Sequence, residues 1–288
     1  MKKKIFHLIF SSIAFTISYG IAKLTAIDWV INAVLISFMI QWILFFPAYY
    51  FQTEKFYDLA GSLTYLTVII YTTYASYSVT GLNLGNLIFG SFIIIWTLRL
   101  GIFLYTRIHS TGEDKRFKFI KKSPTQFFMT WTLQGMWVSV CSTCALTAIA
   151  KGVVLNFFFL VGFLFFILGF LIEIIADRQK NDFRKKSILK NDFIQSGLWA
   201  YSRHPNYLGE IILWTGIAIC SFSSLEGLQL ITLISPIFIY VLLVYISGIP
   251  LLEEKGKKKW GHLSNYQKYL EKTPKLFFNP IKIFTNKL

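Results

Sequence analysis

The chain has 288 residues, of which 55% are apolar, 18% aromatic and 15% charged. A soluble domain carries nearer 25% charged residues, so this composition, with a mean hydropathy of +0.54, excludes a disordered chain, a collagen-like fibre and a typical cytosolic enzyme. The net charge of +15 would suit nucleic acid, yet the basic residues stand in short runs between apolar stretches. That is the pattern of loops facing anionic lipid, and no nucleic-acid partner is expected.

About 20 apolar residues cross a bilayer as a helix, and eight stretches approach that length, near 5–27, 29–50, 60–79, 84–107, 125–150, 152–176, 206–222 and 228–250. The first follows Lys2-Lys3-Lys4 and resembles a signal peptide, but it is too long for an h-region and lacks a small-x-small cleavage site, so it reads as a retained helix. The seventh is short and polar at its start, which leaves seven helices as the alternative count. With the N-terminus on the cytoplasmic side, 26 of the 29 basic residues fall on that side. Lys23 and Lys151 fall opposite, and Arg99 lies inside the fourth helix. The expected fold is therefore an all-α polytopic membrane bundle with both termini cytoplasmic. Residues 1–83 form its N-terminal helices, with room for a substrate chamber, and 84–288 form the remainder. Charged cofactors would be met on the cytoplasmic face, where the loops 107–124 and 177–205 and the tail 251–288 lie.

Ionisable residues inside the hydrocarbon zone are functional candidates by default, and Arg99, Glu173, Asp177 and Glu210 qualify. Glu173 and Asp177, four apart, share one face of the sixth helix, where like charges repel unless a ligand, a cation or a raised pKa relieves them. A structural ion pair such as Arg99 with Glu173 explains any one of them better than it explains the set. Glu54, Tyr57 and Asp58 lie where the second helix ends and the third begins; a solvated interfacial turn competes there with a site. Cys141-Ser142-Thr143-Cys144 has CxxC spacing but no flanking histidines, so small-residue helix packing is the better reading and no metal is expected. His7 and His262 are isolated, and His109 sits in a basic loop. The chain has no G-x-G-x-x-G after a strand, no Walker A motif, no H-E-x-x-H and no G-x-S-x-G.

The specific segment is 196–216, Ser-Gly-Leu-Trp-Ala-Tyr-Ser-Arg-His-Pro-Asn-Tyr-Leu-Gly-Glu-Ile-Ile-Leu-Trp-Thr-Gly. It delivers Arg203 and His204, a proline suited to the first turn of a helix, and then Asn206, Tyr207 and Glu210. The helix start and the forked donors of Arg203 and Arg184 make the segment suited to phosphate. A basic loop for lipid headgroups would explain the arginines but not Asn206 and Glu210. With Leu98-Arg99-Leu100, Arg107, Gly112-Glu113-Asp114-Lys115-Arg116, Glu173 to Gln179, Phe183-Arg184 and Ser247 to Glu253, the chain over about 90–285 resembles the steroid 5-alpha-reductase family, in particular its bacterial DUF1295-type branch. The resemblance implies a helical bundle binding NADPH from the cytoplasmic side. It assigns the cofactor to Asp177, Arg184, Asn206 and Glu210, with Tyr201 before the motif and Arg99 and Arg107 as the nearest equivalents of the family's further arginines. Glu173 departs from the family's asparagine, and Trp96 falls near the place of a substrate-holding tyrosine.

The expected activity is reduction of an activated carbon–carbon double bond in a steroid-like, isoprenoid or enoyl lipid drawn from the bilayer, with NADPH as hydride donor and an acid from Glu54, Tyr57 or Asp58. The expected location is a bacterial inner membrane. Two alternatives stand beside it. The Arg-His-Pro-x-Tyr signature, Leu252-Glu253-Glu254, Tyr266, Tyr269 and Pro280 also occur in S-adenosylmethionine-dependent lipid and isoprenylcysteine methyltransferases. A non-catalytic lipid-binding or transport protein would line a polar path through all helices, whereas the polar groups here collect on one face. The sequence leaves the substrate and the oligomeric state open.

Overall fold

A computed structural model of the chain describes residues 2–114, 116–186 and 192–278. Lys115, Pro280 and the C-terminal end lie outside the described residues. Every long element is helical: α1 (Lys2–Leu24), α2 (Asp28–Tyr50), α3 (Tyr57–Thr80), α4 (Leu84–Thr111), the single turn α5 (Phe117–Ile120), α6 (Pro124–Lys151), α7 (Phe157–Lys186), α8 (Pro205–Phe222), α9 (Ser235–Val241), α10 (Ile249–Trp260) and α11 (Ser264–Lys272). No strand occurs among the described residues. All eight expected stretches are helical, and among the described residues six segments are long and apolar enough to cross a membrane: Lys2–Leu24, Asp28–Tyr50, Leu84–Ser110, Pro124–Lys151, Phe157–Lys186 and Gly227–Trp260. The other two stretches fall short for different reasons. α3 has the length but is diluted by Thr, Ser and Tyr, and α8 has only 18 residues.

The last segment is not the single helix that its apolar run suggests. Residues Gly227–Ile234 wind as a 3₁₀ helix, and α9 opens at Ser235 with Pro236 in its first turn, where a missing N–H breaks no helical bond. After α9 the backbone opens into a π-helical stretch, Leu242–Ile246. It then breaks at Ser247-Gly248 before Pro250 starts α10.

Two compact units emerge, Met1–Leu160 with Ala218–Ser235, and Val161–Ile217 with Pro236–Leu288. In the first, α6 is the axis, packed by α1, α2, α3 and α4. From Val138 to Ala150 every α6 residue is buried, as befits a helix enclosed on all sides and rich in small residues that let backbones approach. Two of its hydroxyls are satisfied along the helix itself, Ser142 donating to the Val138 carbonyl at 2.6 Å and Thr147 to Thr143 at 2.7 Å. The CxxC pair lies in this run with both thiols fully buried. Asn86 ties one end together. Its amide donates to Ser76 of α3 at 3.0 Å and to the Ile149 carbonyl of α6 at 2.9 Å, and accepts from the Val153 N–H at 2.8 Å. α4 begins on Asn83, which accepts from the Asn86 N–H at 2.9 Å, and ends on Gly112 at φ +81°. Because α4 lies along α3, the first unit continues well past residue 83.

In the second unit, α7 and α8 meet through glycines. A Cβ on Gly169 would lie 2.4 Å from the Leu213 nitrogen, and one on Gly209 would lie 2.6 Å from the Gly169 oxygen. The contact excludes any side chain there and brings the first turns of α8 against the middle of α7.

Candidate active site

Glu173, Asp177 and Arg184 stand at i, i+4 and i+11 of α7, one stripe at 100° per residue. Lys180, at i+7, completes it; that spacing was available in the sequence but Lys180 was not singled out. Glu173 and Asp177 are buried, at 3% and 6% exposure, Lys180 is half-buried and Arg184 is exposed. Carboxylates so deep are tolerated only with partners or a ligand. Gly209 lies against the Glu173 backbone, where a Cβ would come 2.7 Å from the Glu173 nitrogen. Asn206, Tyr207 and Glu210, all half-buried, therefore begin α8 beside this part of α7.

The loop before α8 is fastened to the same stripe. The Trp199 indole N–H donates to the Ala176 carbonyl at 3.0 Å, and the Leu198 N–H donates to Gln179 Oε1 at 2.9 Å. Gly197 adopts φ +62° there, and a side chain on it would strike Gln179. Lys180 Nζ sits 4.5 Å over the Trp199 ring. Tyr201 is half-buried in this loop.

Arg203 and His204 are held from α10. Arg203 Nη1 lies 2.8 Å from Glu253 Oε1, and His204 Nε2 lies 3.5 Å from the same oxygen. The His204 ring stacks on Tyr207 at 5.8 Å with planes 12° apart. Burial is the main influence that lowers the His204 pKa below its ordinary value; the bond to Glu253 opposes it, and the charges of Lys180 and Arg203 add to it. Arg203 Nε and His204 Nδ1 are buried with no hydrogen-bond partner among the described residues. Such atoms are rare and usually await a water, an ion or a ligand.

The other expected site residues belong to the first unit, and most of them have structural partners. Glu54 is 4% exposed, so it does not sit in a solvated turn. Its carboxylate meets Lys121 Nζ at 2.7 Å and accepts from the Asp114 N–H at 3.0 Å. The Tyr57 hydroxyl donates to the Thr130 carbonyl at 3.0 Å, and its ring packs on Phe117 and Trp131. Asp58 is the looser of the acids, 3.7 Å from Arg107 with 26% of its side chain exposed. Arg99 and Arg107 share one neighbour, the Phe103 ring, at 5.2 and 5.9 Å. Trp96 is enclosed at 1% exposure and set edge-on to Tyr65 of α3. Two of the histidines differ from their expected places: His7 is not isolated but bonds Thr125 at 3.1 Å, and His109 lies in the last turn of α4 rather than in a loop, exposed beside Tyr105.

A family model described as "Protein of unknown function (DUF1295)" matches residues 44–273. The mouse (Mus musculus) protein named 3-oxo-5-alpha-steroid 4-dehydrogenase 2 is 42% identical over 65 residues, which is 23% of this chain and 26% of that protein. The chain thus matches about a quarter of that relative's length. No solved structure matches. The family match runs from within α2 to the end of α11, taking in the α7 stripe, the Arg203-His204 loop and Glu253. The chain is an integral membrane protein of the DUF1295 family, whose members resemble the steroid 5-alpha-reductases.

Proposed function

We propose that this protein is an NADPH-dependent membrane reductase of an activated carbon–carbon double bond in a lipid, with its cofactor groups on the cytoplasmic face of a bacterial inner membrane. The observation that carries the reading is the α7 stripe Glu173-Asp177-Lys180-Arg184, with the Arg203-His204 loop fastened to it. It sets buried acids beside basic groups, as a ligand with both hydroxyls and phosphates requires. The residues fit a dinucleotide, because Arg203 Nε and His204 Nδ1 are buried and lack partners among the described residues. The name of the mouse relative supports the reaction class.

In this reading Arg184, Lys180 and Arg203 hold phosphate oxygens through charge-assisted hydrogen bonds. Asp177, Glu173, Asn206 and Glu210 orient hydroxyl and amide groups, with Tyr201 and Tyr207 beside them. NADPH, when bound, supplies a hydride for the β-carbon of the conjugated double bond. Asp58 is the acid we assign to polarise the conjugated carbonyl and deliver a proton, since Glu54 is bonded to Lys121 and Asp114 and the Tyr57 hydroxyl is given to Thr130.

The test is a mass spectrum of the small molecules that stay with the purified protein, followed by NADPH titration. NADP(H) is expected, and Arg184→Ala or Asn206→Ala weakens its binding by about tenfold or more, the loss of a charged hydrogen bond. Wild-type affinity in both variants overturns the cofactor site. Retention of S-adenosylmethionine in preference to NADP(H) replaces the reductase with a methyltransferase. Asp58→Asn is expected to lower turnover and leave NADPH affinity unchanged, as the loss of an acid alone should; normal turnover removes Asp58 from the reaction.

A further inference from the structure

Glu253 has no role in the cofactor contacts above, yet it stands at the centre of the least-satisfied polar cluster in the second unit. Its Oε1 alone receives Arg203 Nη1 at 2.8 Å and His204 Nε2 at 3.5 Å. The rest of the loop is clamped by the tail. The Arg203 N–H donates to the Pro274 carbonyl at 2.9 Å, Ser202 Oγ to Leu276 at 2.6 Å, and Tyr269 OH to Trp199 at 2.8 Å. Backbone and side chains are therefore fixed independently, the former by the tail and the latter by one carboxylate. Arg203 Nε and His204 Nδ1 remain over, buried and without a hydrogen-bond partner among the described residues. The His204 side chain is only 8% exposed. A buried donor left unmet costs free energy that an anionic ligand restores.

We propose that Glu253 is the positioning residue of the cofactor site, gripping Arg203 and His204 so that their remaining nitrogens serve the phosphate oxygens of the dinucleotide. The inference rests on the NADPH reading and deepens it. With Nε2–H given to Glu253, His204 Nδ1 is a donor only when the ring is protonated, so an anion there binds together with a proton. The charged groups facing the ring are Lys180 of α7, Arg203 of the loop and Glu253 of α10. Lys275, Tyr266 and Tyr269 face Glu253 in turn. NADPH affinity accordingly rises as pH falls through the value at which bound His204 takes up its proton, and the Glu253 charge sets that value.

The test titrates NADPH into the full-length protein in detergent between pH 8 and 5, comparing wild type, Glu253→Gln, Glu253→Ala and a control, Glu254→Gln. Glu254 pairs with Lys258 on the exposed side of α10. The expected result is a Kd raised about tenfold in both Glu253 variants, with the low-pH rise in affinity displaced to lower pH in Glu253→Gln and unchanged in the control. Three outcomes overturn the proposal. In one, the Glu253 variants bind as wild type does. In another, the Kd rises with an unmoved pH profile and a lowered melting temperature, which is a purely structural role. In the third, the control shows the same displacement, which is a general effect of charge. A wild type that binds no NADPH at any pH fails earlier, at the cofactor reading, and takes the proposal with it.

Discussion

At the scale of single residues, the decisive quantity is how deeply each charge is placed and what meets it. His204 is buried, and burial lowers its pKa. The unfolded chain therefore binds a proton at a pH where the folded chain resists it. The stability that this residue contributes is complete above about pH 6.5 and is lost as the pH falls below that toward the folded value. The melting temperature of the detergent-solubilised protein should hold between pH 8 and 7 and decline below 6.5, and His204→Gln should remove part of the decline. Glu54, bonded to Lys121 and to the Asp114 N–H, is a second buried charge. Glu54→Gln should cost about 1–3 kcal/mol. The double variant with Lys121→Met should cost less than the sum of the two single changes, because no buried charge is left unmet; strict additivity in denaturation curves would contradict the pairing. The sequence showed which residues were ionisable and expensive to bury, as with Glu173 and Asp177. It did not show Glu253 as the holder of Arg203 and His204, because a separation of 49 positions between His204 and Glu253 hides the encounter.

At the scale of elements, apolar length located the helices and small residues decided how close they come. The eight stretches were legible because hydropathy registers length and composition. The winding of the last one was not, since a π-helical stretch over Leu242–Ile246 leaves no mark on hydropathy. The Gly169–Gly209 approach follows the same logic. Gly209→Val should push α8 from α7 and cost at least about 1–3 kcal/mol, with NADPH affinity falling as the Glu173 backbone moves. A variant with wild-type melting and binding would show that the two helices have slack. Asn86, buried and bonded to three partners across α3, α6 and the turn after it, predicts a comparable loss for Asn86→Ala, read as a lowered melting temperature.

At the scale of the whole molecule, basic residues are the record of sidedness. Their alternation predicts that Asn83 and Lys272 face opposite sides of the membrane. Reporter fusions at the two positions should give opposite signals; a common side would mean that one of the five segments between them, the short α8 first among them, does not cross. The clamp on the Arg203 loop also has a consequence in time. Trp199 waits for Tyr269, and Ser202 for Leu276, 70 and 74 residues further along the chain. At about 5–20 residues per second, that interval on the ribosome is on the order of ten seconds. Every other helix has emerged by then, so the loop that carries Arg203 and His204 is the last part of the described chain to acquire its shape. A nascent protein arrested before Pro274 would already hold its membrane helices while the Arg203 loop still lacked the Pro274 and Leu276 carbonyls that help to clamp it.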